Sequence, residues 1–420
     1  MYKTFNSSLK PQLAKLKADF QLFEVLNKSI PVLMGIFIFF NPFPHTTSIK
    51  EICFYLSVFI VLVVLSFKKT KCSLKTPLFL PFGLFVGWAF LGLFFALNKE
   101  NSIHDFFSHL LKYIVLYYIL INFFTSRKRL VALSWIIIVS ATIFSIGGLF
   151  YYYFILGNSL ATRYAVGLFS EIPTNLIGIV TVFAIILSLH HLFTEIQLYR
   201  SATLIVCLFP LFAATLLTQS RGTFLALTLA IILVLSKRGK ALIVLLSIIV
   251  IVVAVAPIGN RFAQKDILHD IRIAANLITF EILKDYPITG IGFGMQAYGN
   301  GIDLGAYNEK VPEKYRHKSK KILNDPHSML PSTLVRLGFV GLVLFLYILG
   351  TFLRMCWRST KYGKDDFIKN WGLCITSAFV AFFVIGIFEP VFSHVPEVVL
   401  FTIFAMMTIL WQLNYNTEAN

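Results

Sequence analysis

The sequence predicts an all-α, polytopic membrane protein of about twelve transmembrane helices, with a long helical loop between the ninth and tenth. Three observations carry this. Of 420 residues, 57% are hydrophobic and only 14% charged, against about 45–50% and about 25% in soluble domains; the mean hydropathy is +0.77. The apolar residues come in blocks, such as Ala241 to Ala256, that as helices cross about 30 Å of hydrocarbon. The blocks run apolar throughout rather than alternating, which excludes a porin-type barrel as well as a soluble enzyme.

Taken in order, apolar runs lie near 29–44, 50–67, 77–97, 106–124, 130–155, 172–190, 201–219, 222–236, 241–257, 334–353, 369–388 and 396–413. Each is about the length of a membrane span. The turn Gln219-Ser220-Arg221-Gly222 is very short for two full crossings. Orientation follows from charge. With the N-terminus inside, the inner segments hold 21 of the 37 Lys and Arg, whereas the short outer loops hold only Lys50, Lys99, Arg163 and Arg221. Positive charge stays on the cytoplasmic side, so both termini are expected in the cytoplasm and the loop from 258 to about 330 outside. The net charge of +17 thereby reads first as topology rather than as nucleic-acid binding.

The expected divisions are an N-terminal cytoplasmic segment 1–28, helices one to nine over 29–257, the outer loop 258–330, helices ten to twelve over 331–413, and a tail 414–420. No cleavable signal peptide is read ahead of the first span. Within 1–28, Leu9, Leu13, Leu16, Phe20 and Phe23 recur at helical spacing between lysines. This fits an amphipathic helix on the inner leaflet or one packed on the cytoplasmic loops. The cysteines Cys53, Cys72, Cys207, Cys356 and Cys374 avoid the outer loop, so no structural disulfide is expected there. The many phenylalanines read as packing.

Ionisable groups in or at the edge of spans are the candidates for chemistry. On the outer half they are Arg163, Arg221, Arg261, Arg272, His327, Arg336, Glu389, His394 and Glu397. Arg221 lies in a turn expected to limit its exposure, beside the amides that begin the next helix, a natural anion pocket; the alternative is an Arg reaching to headgroups. In the outer loop, Ile267, Ile271, Ala274, Ala275, Ile278 and Ile282 make one helical face, with Arg272 off it, as a solvated charge or as a ligand. Gly290-Ile291-Gly292-Phe293-Gly294 follows a helix rather than a strand, which argues against a dinucleotide site and for a tight turn at the membrane surface. The basic run Lys310, Lys314, Arg316, Lys318, Lys320 and Lys321 is either solvated or holds an anionic headgroup. His327, just after Pro326 and before a span, is placed either as a general base or as a structural histidine.

Thr218-Gln219-Ser220-Arg221-Gly222 between two spans, an Arg-bearing helix in a long outer loop, Asp285-Tyr286-Pro287-(x2)-Gly290-(x)-Gly292, and His327-(x2)-Leu330 before Leu337-Gly338-(x2)-Gly341-Leu342 together resemble the O-antigen ligase family. That family sits within a wider group that also holds O-antigen polymerases. The resemblance is strongest from about 160 to 345. It implies a glycosyltransferase moving an O-antigen glycan from undecaprenyl pyrophosphate to lipid A–core at the outer face of the bacterial inner membrane. Arg221 and Arg272 would then bind the donor pyrophosphate and His327 would activate the acceptor hydroxyl. Arg163 in Arg163-Tyr164-Ala165-Val166-Gly167 resembles a further Arg of the pattern, and Glu389 takes the place of an acid in the last outer loop. Arg336 is a possible supporting residue. Ser328 stands where the family often has Asn. Arginines can balance a leaving pyrophosphate without a metal. The first outer loop, Asn41-Pro42-Phe43-Pro44-His45-Thr46-Thr47-Ser48, has no acid and the chain has no Asp-x-Asp. A metal-independent, inverting displacement with no cofactor is therefore expected. The bilayer is a partner; nucleic acid is not. Two rivals stay open: an O-antigen polymerase, and a polyprenyl-glycan transporter, whose paired halves are not evident here.

Overall fold

A computed structural model describes residues 23–67, 72–194, 197–245, 247, 271–316, 325–390 and 392–415. It is helical apart from one hairpin, in which Val166–Gly167 pairs antiparallel with Ser170–Glu171. The helices are α1 (23–39), α2 (Thr47–Ser66), α3 (Phe79–Gly92), α4 (Lys99–Phe123), α5 (Arg127–Ile155), α6 (Thr174–Thr194), α7 (Leu198–Leu217) and α8 (Arg221–Val234). There follow α9 (239–245 as described), α10 (Ile271–Asp285), α11 (Ala297–Asn300) and α12 (Leu304–Lys310). The last three are α13 (Met329–Tyr362), α14 (Asp366–Gly386) and α15 (His394–Tyr415).

The chain is an all-α polytopic membrane protein. Among the described residues, eight helices are long and apolar enough to span: α2, α4, α5, α6, α7, α13, α14 and α15. The apolar α3 and α8 have 14 residues each, about 21 Å of rise. Eleven of the twelve expected spans have a helix at their place among the described residues, and the ninth lies mostly outside them. So do the N-terminal amphipathic segment up to residue 22, Arg261, Ile267, Lys318, Lys320, Lys321 and the tail from 416.

Two boundaries differ from expectation. The first helix is already formed where the described residues begin at 23 and ends at 39 rather than 44, because Pro42 and Pro44 cannot continue it. Residues 23–28, assigned to the N-terminal segment, are thus continuous with the first span. The third helix ends at Gly92, short of 97, and Leu97 N instead donates to Ile291 O at 3.0 Å.

Hydropathy all round a helix predicts a central one. Accordingly, α6 and α15 are each 83% buried along their apolar window, against 28% for α2. Ile52, Tyr55, Phe59 and Leu62 make an exposed stripe along α2, the face turned to lipid. Inside the bundle, polar side chains pair across helices. Thr215 donates to Thr181 Oγ1 at 2.7 Å, and Ser134 Oγ meets His191 Nε2 at 2.7 Å, as an apolar surround requires.

The loop segment folds onto the bundle at a break in α13. Gly338 has φ 67° and ψ −171°, where a Cβ would collide with Ile288 O. The break frees carbonyls that hydrocarbon cannot satisfy, and neighbouring donors take them. Ile291 N bonds Val335 O at 2.9 Å, Gly292 N bonds Arg336 O at 3.1 Å, and Trp88 Nε1 bonds Leu337 O at 2.9 Å. The glycine-rich run is therefore a docking turn, with Gly290 at φ 67° pressed against the Arg336 backbone. On α10 the expected face is the buried one: Ala274, Ala275, Ile278 and Ile282 turn inward, and the two isoleucines join Ile291, Tyr298 and Val335 in a small core.

Candidate active site

The turn between α7 and α8 is the first part of the site. Ser220 caps α8, its Oγ accepting from Thr223 N at 3.3 Å, and Gln219 before it stands at φ 48°. Thr218, Gln219 and Ser220 are at most 7% exposed, and Gly222 packs so close to Phe388 that a side chain there would clash. Arg221 is the exception. As first residue of the helix it points off the packed turn and is exposed, contrary to the expectation that a short turn would limit its exposure. Arg163 ties this turn to the start of α6. Its Nε donates to Thr218 O at 2.9 Å and its Nη2 to Thr174 Oγ1.

From the turn a chain of polar contacts leads to the histidine. Ser220 Oγ donates to Asn175 Oδ1 at 2.5 Å, and Asn175 Nδ2 donates to Glu389 Oε1 at 2.9 Å. Glu389 Oε2 then faces His327 Nδ1 at 4.0 Å. Asn175 is buried, so it is a rigid link between the arginine turn and the loop after α14. Phe388, next to Glu389, carries the Arg272 guanidinium 6.0 Å from its ring centre. Arg272 thus lies over the bundle rather than being simply solvated. The Glu389 carboxylate raises the His327 pKa, and Asp325 adds to this; burial and the Arg272 charge oppose. With Nδ1 toward the carboxylate, Nε2 is the nitrogen left for substrate.

His327 is held from behind by its own loop. Its backbone is left-handed, φ 49°, a conformation uncommon outside glycine and enriched in Asn, Asp and His. Asp325 stabilises it: Oδ1 accepts His327 N at 2.8 Å, while Oδ2 accepts Ser332 Oγ at 3.1 Å and Arg336 Nη2 at 2.8 Å. Arg336 is 1% exposed, so its place is structural support beneath the histidine loop. Ser328, where Asn was noted as frequent, is the residue preceding α13 and makes no side-chain capping bond.

The remaining candidates lie apart. Glu397 is fully buried and accepts from or shares a proton with His109 Nδ1 at 2.7 Å; the His394 ring packs tilted against His109 with ring centres 4.5 Å apart. Of the basic run, Lys310 reaches Asp285 at 3.3 Å and Arg316 Nη2 bonds Glu309 O at 2.7 Å, internal contacts of the loop. Among the described residues no group of three or more His, Cys, Asp or Glu is placed to hold a metal ion.

These elements put Arg272, His327 and the turn that carries Arg221 around the loop that holds Glu389. Residues 205–346 match the family model described as O-Antigen ligase. This match supports the family-level resemblance read from the sequence. The matched stretch holds Arg221, Arg272, His327 and Arg336; Arg163, Asn175 and Glu389 lie outside it. No curated protein matches the chain. Among solved structures, a chain from "Structural coordination of polymerization and crosslinking by a peptidoglycan synthase complex" is 16% identical, with a TM-score of 0.41, covering 80% of this chain and 97% of that one.

Sequence reasoning passed over three residues that build the site. Asn175 and Ser220 carried only the weak signal of polar residues at helix starts. Asp325 carried a better one, since an Asp two residues before a His, across a Pro, is a turn-former whose carboxylate reaches forward to backbone amides.

Proposed function

We propose that this protein is an O-antigen ligase, transferring a glycan from undecaprenyl pyrophosphate to lipid A–core at the outer face of the bacterial inner membrane, with both termini cytoplasmic. The observation that carries the reading is the His327–Glu389 pair, fixed through Asn175 and Ser220 to the turn that presents Arg221. The Glu389 carboxylate, 4.0 Å from Nδ1 of His327, favours the proton on that nitrogen, leaving Nε2 to take the proton of an acceptor hydroxyl. The freed oxygen attacks the anomeric carbon as its bond to the pyrophosphate oxygen breaks, with inversion at that carbon. Arg221 and Arg272 neutralise the departing pyrophosphate. Arg163 supports the same anion from its position beside Thr218 and Thr174. No protein-bound metal enters this scheme.

The test is transfer by purified protein given one lipid-linked glycan donor and two acceptors, lipid A–core and a second lipid-linked repeat, with products separated by mass. Glycosylated lipid A–core, undiminished by a chelator, is the expected product. Elongated lipid-linked glycan alone assigns the chain to polymerisation instead.

A further inference from the structure

A buried charged cluster that the proposed reaction does not use lies beneath the histidine loop. Arg336 donates from Nη2 to Asp325, and its Nε and Nη1 are buried without a hydrogen-bond partner among the described residues. Glu397, fully buried in the first turn of α15, has Oε2 on His109 Nδ1 and leaves Oε1 in the same state. A buried donor or acceptor left unpaired is costly. The two sets are complementary, donors on the arginine and an acceptor on the acid. Whichever partner holds the proton between Glu397 and His109, Oε1 remains an acceptor.

The backbone brings the two into one region. Arg336 O accepts from Gly292 N; two residues on, Gly294 N bonds Ser102 Oγ at 3.2 Å and Met295 N bonds Asp105 Oδ2 at 2.6 Å. Ser102, Asp105 and His109 are all buried on α4. His109 sits in a π-helical turn of that helix, 106–111, an irregularity frequent at functional sites. Of the charges acting on Glu397, that of Arg336 is the strongest, ahead of Asp105 and Lys112. Asp105 is already taken by Met295 N, Asn101 Nδ2 and His104 Nδ1, and Lys112 is paired with Glu51. Glu397 is therefore the acid left for the free edge of Arg336. In so dry a region the two groups act on each other without touching.

We propose that Glu397, held by His109, is a positioning residue for His327, acting through Arg336 and Asp325. It draws the free edge of Arg336 away from Asp325, so that the guanidinium keeps one bond to Oδ2 while Oδ1 stays on His327 N. Without Glu397, Asp325 is the one acid left to Arg336, which closes on it with both edges and pulls the carboxylate off the histidine loop. The charges facing His327 are Glu389, Asp325 and Arg272. A more fully neutralised Asp325 therefore lowers the pH at which the imidazole loses its proton.

The rate part of the test rests on the reading of His327 as the base; the other part needs no turnover. Diethyl pyrocarbonate acylates neutral imidazole, and its rate at His327 of the full-length protein in detergent, read by peptide mass spectrometry against pH, gives a midpoint. In Glu397→Leu that midpoint is expected at least about half a pH unit lower. In the transfer assay kcat falls at least about tenfold with KM for the donor unchanged. Glu397→Gln, which keeps an acceptor oxygen, brings both back toward wild type. Glu397→Asp, which withdraws the acceptor by one methylene, gives the same downward shift and keeps the proposal testable where Glu397→Leu does not fold. A wild-type midpoint in Glu397→Leu or, failing that, in Glu397→Asp overturns the proposal. So does a Glu397→Gln protein no closer to wild type than Glu397→Leu. A lowered midpoint with undiminished transfer keeps the link from Glu397 to His327 and overturns the reading of His327 as the base.

Discussion

His327 occupies a backbone conformation that its own loop must hold in place, and its imidazole faces a carboxylate. Both facts lead to measurable consequences. A base must be neutral to accept a proton, and Glu389 raises the His327 pKa, so transfer should rise with pH through that pKa. In Glu389→Gln the raising influence is lost. The acid limb of the pH–rate profile should then move to lower pH, while the plateau rate falls by about tenfold or more. An unmoved acid limb separates Glu389 from His327. The same raised pKa stabilises the folded protein at low pH, and that contribution fades as pH climbs through the folded-state value. Asp325→Ala leaves Arg336 buried with its ion pair removed, at a cost of roughly 3 kcal/mol, which should appear as a lowered unfolding temperature in detergent together with loss of transfer. His327 and Arg221 were legible in the sequence because they are charges where charges are scarce. Asn175 was not, because one amide at the head of an apolar run has no pattern to set it apart.

The decisive element is the break in α13. It lets the loop segment insert its glycine run against freed carbonyls, and it fixes the height at which Asp325, His327 and Arg336 stand above the bundle. Gly338→Ala places a side chain at φ 67° against Ile288 O, which should cost at least about 1–3 kcal/mol from the backbone conformation alone. A drop in thermal stability well beyond that of an alanine placed at Gly350, where nothing lies near an added Cβ, is the expected result. Hydropathy could locate this helix but not its break, since an apolar run reads the same whether or not one residue in it is left-handed. The early ends of α1 and α3 have the same origin. Runs of apolar residues continue past the point where Pro42, or pairing with the loop, stops the helix.

For the whole molecule, the +17 charge divides between orientation and chemistry, and orientation has a direct check. In intact cells, a membrane-impermeant thiol reagent should label Ser159→Cys and spare Lys128→Cys, in a background with the native cysteines replaced; the reverse pattern would invert the topology. The bundle as a whole then serves to bring three separated stretches, the α7–α8 turn, the loop before α13 and the loop after α14, to one point. The most direct measurement of that convergence is glycan transfer by purified, folded His327→Ala and Arg221→Ala proteins against wild type, using the same lipid-linked donor and lipid A–core. Loss of at least about a hundredfold in each, with unfolding temperatures unchanged, is the predicted result. Transfer by either variant at close to the wild-type rate would contradict the account.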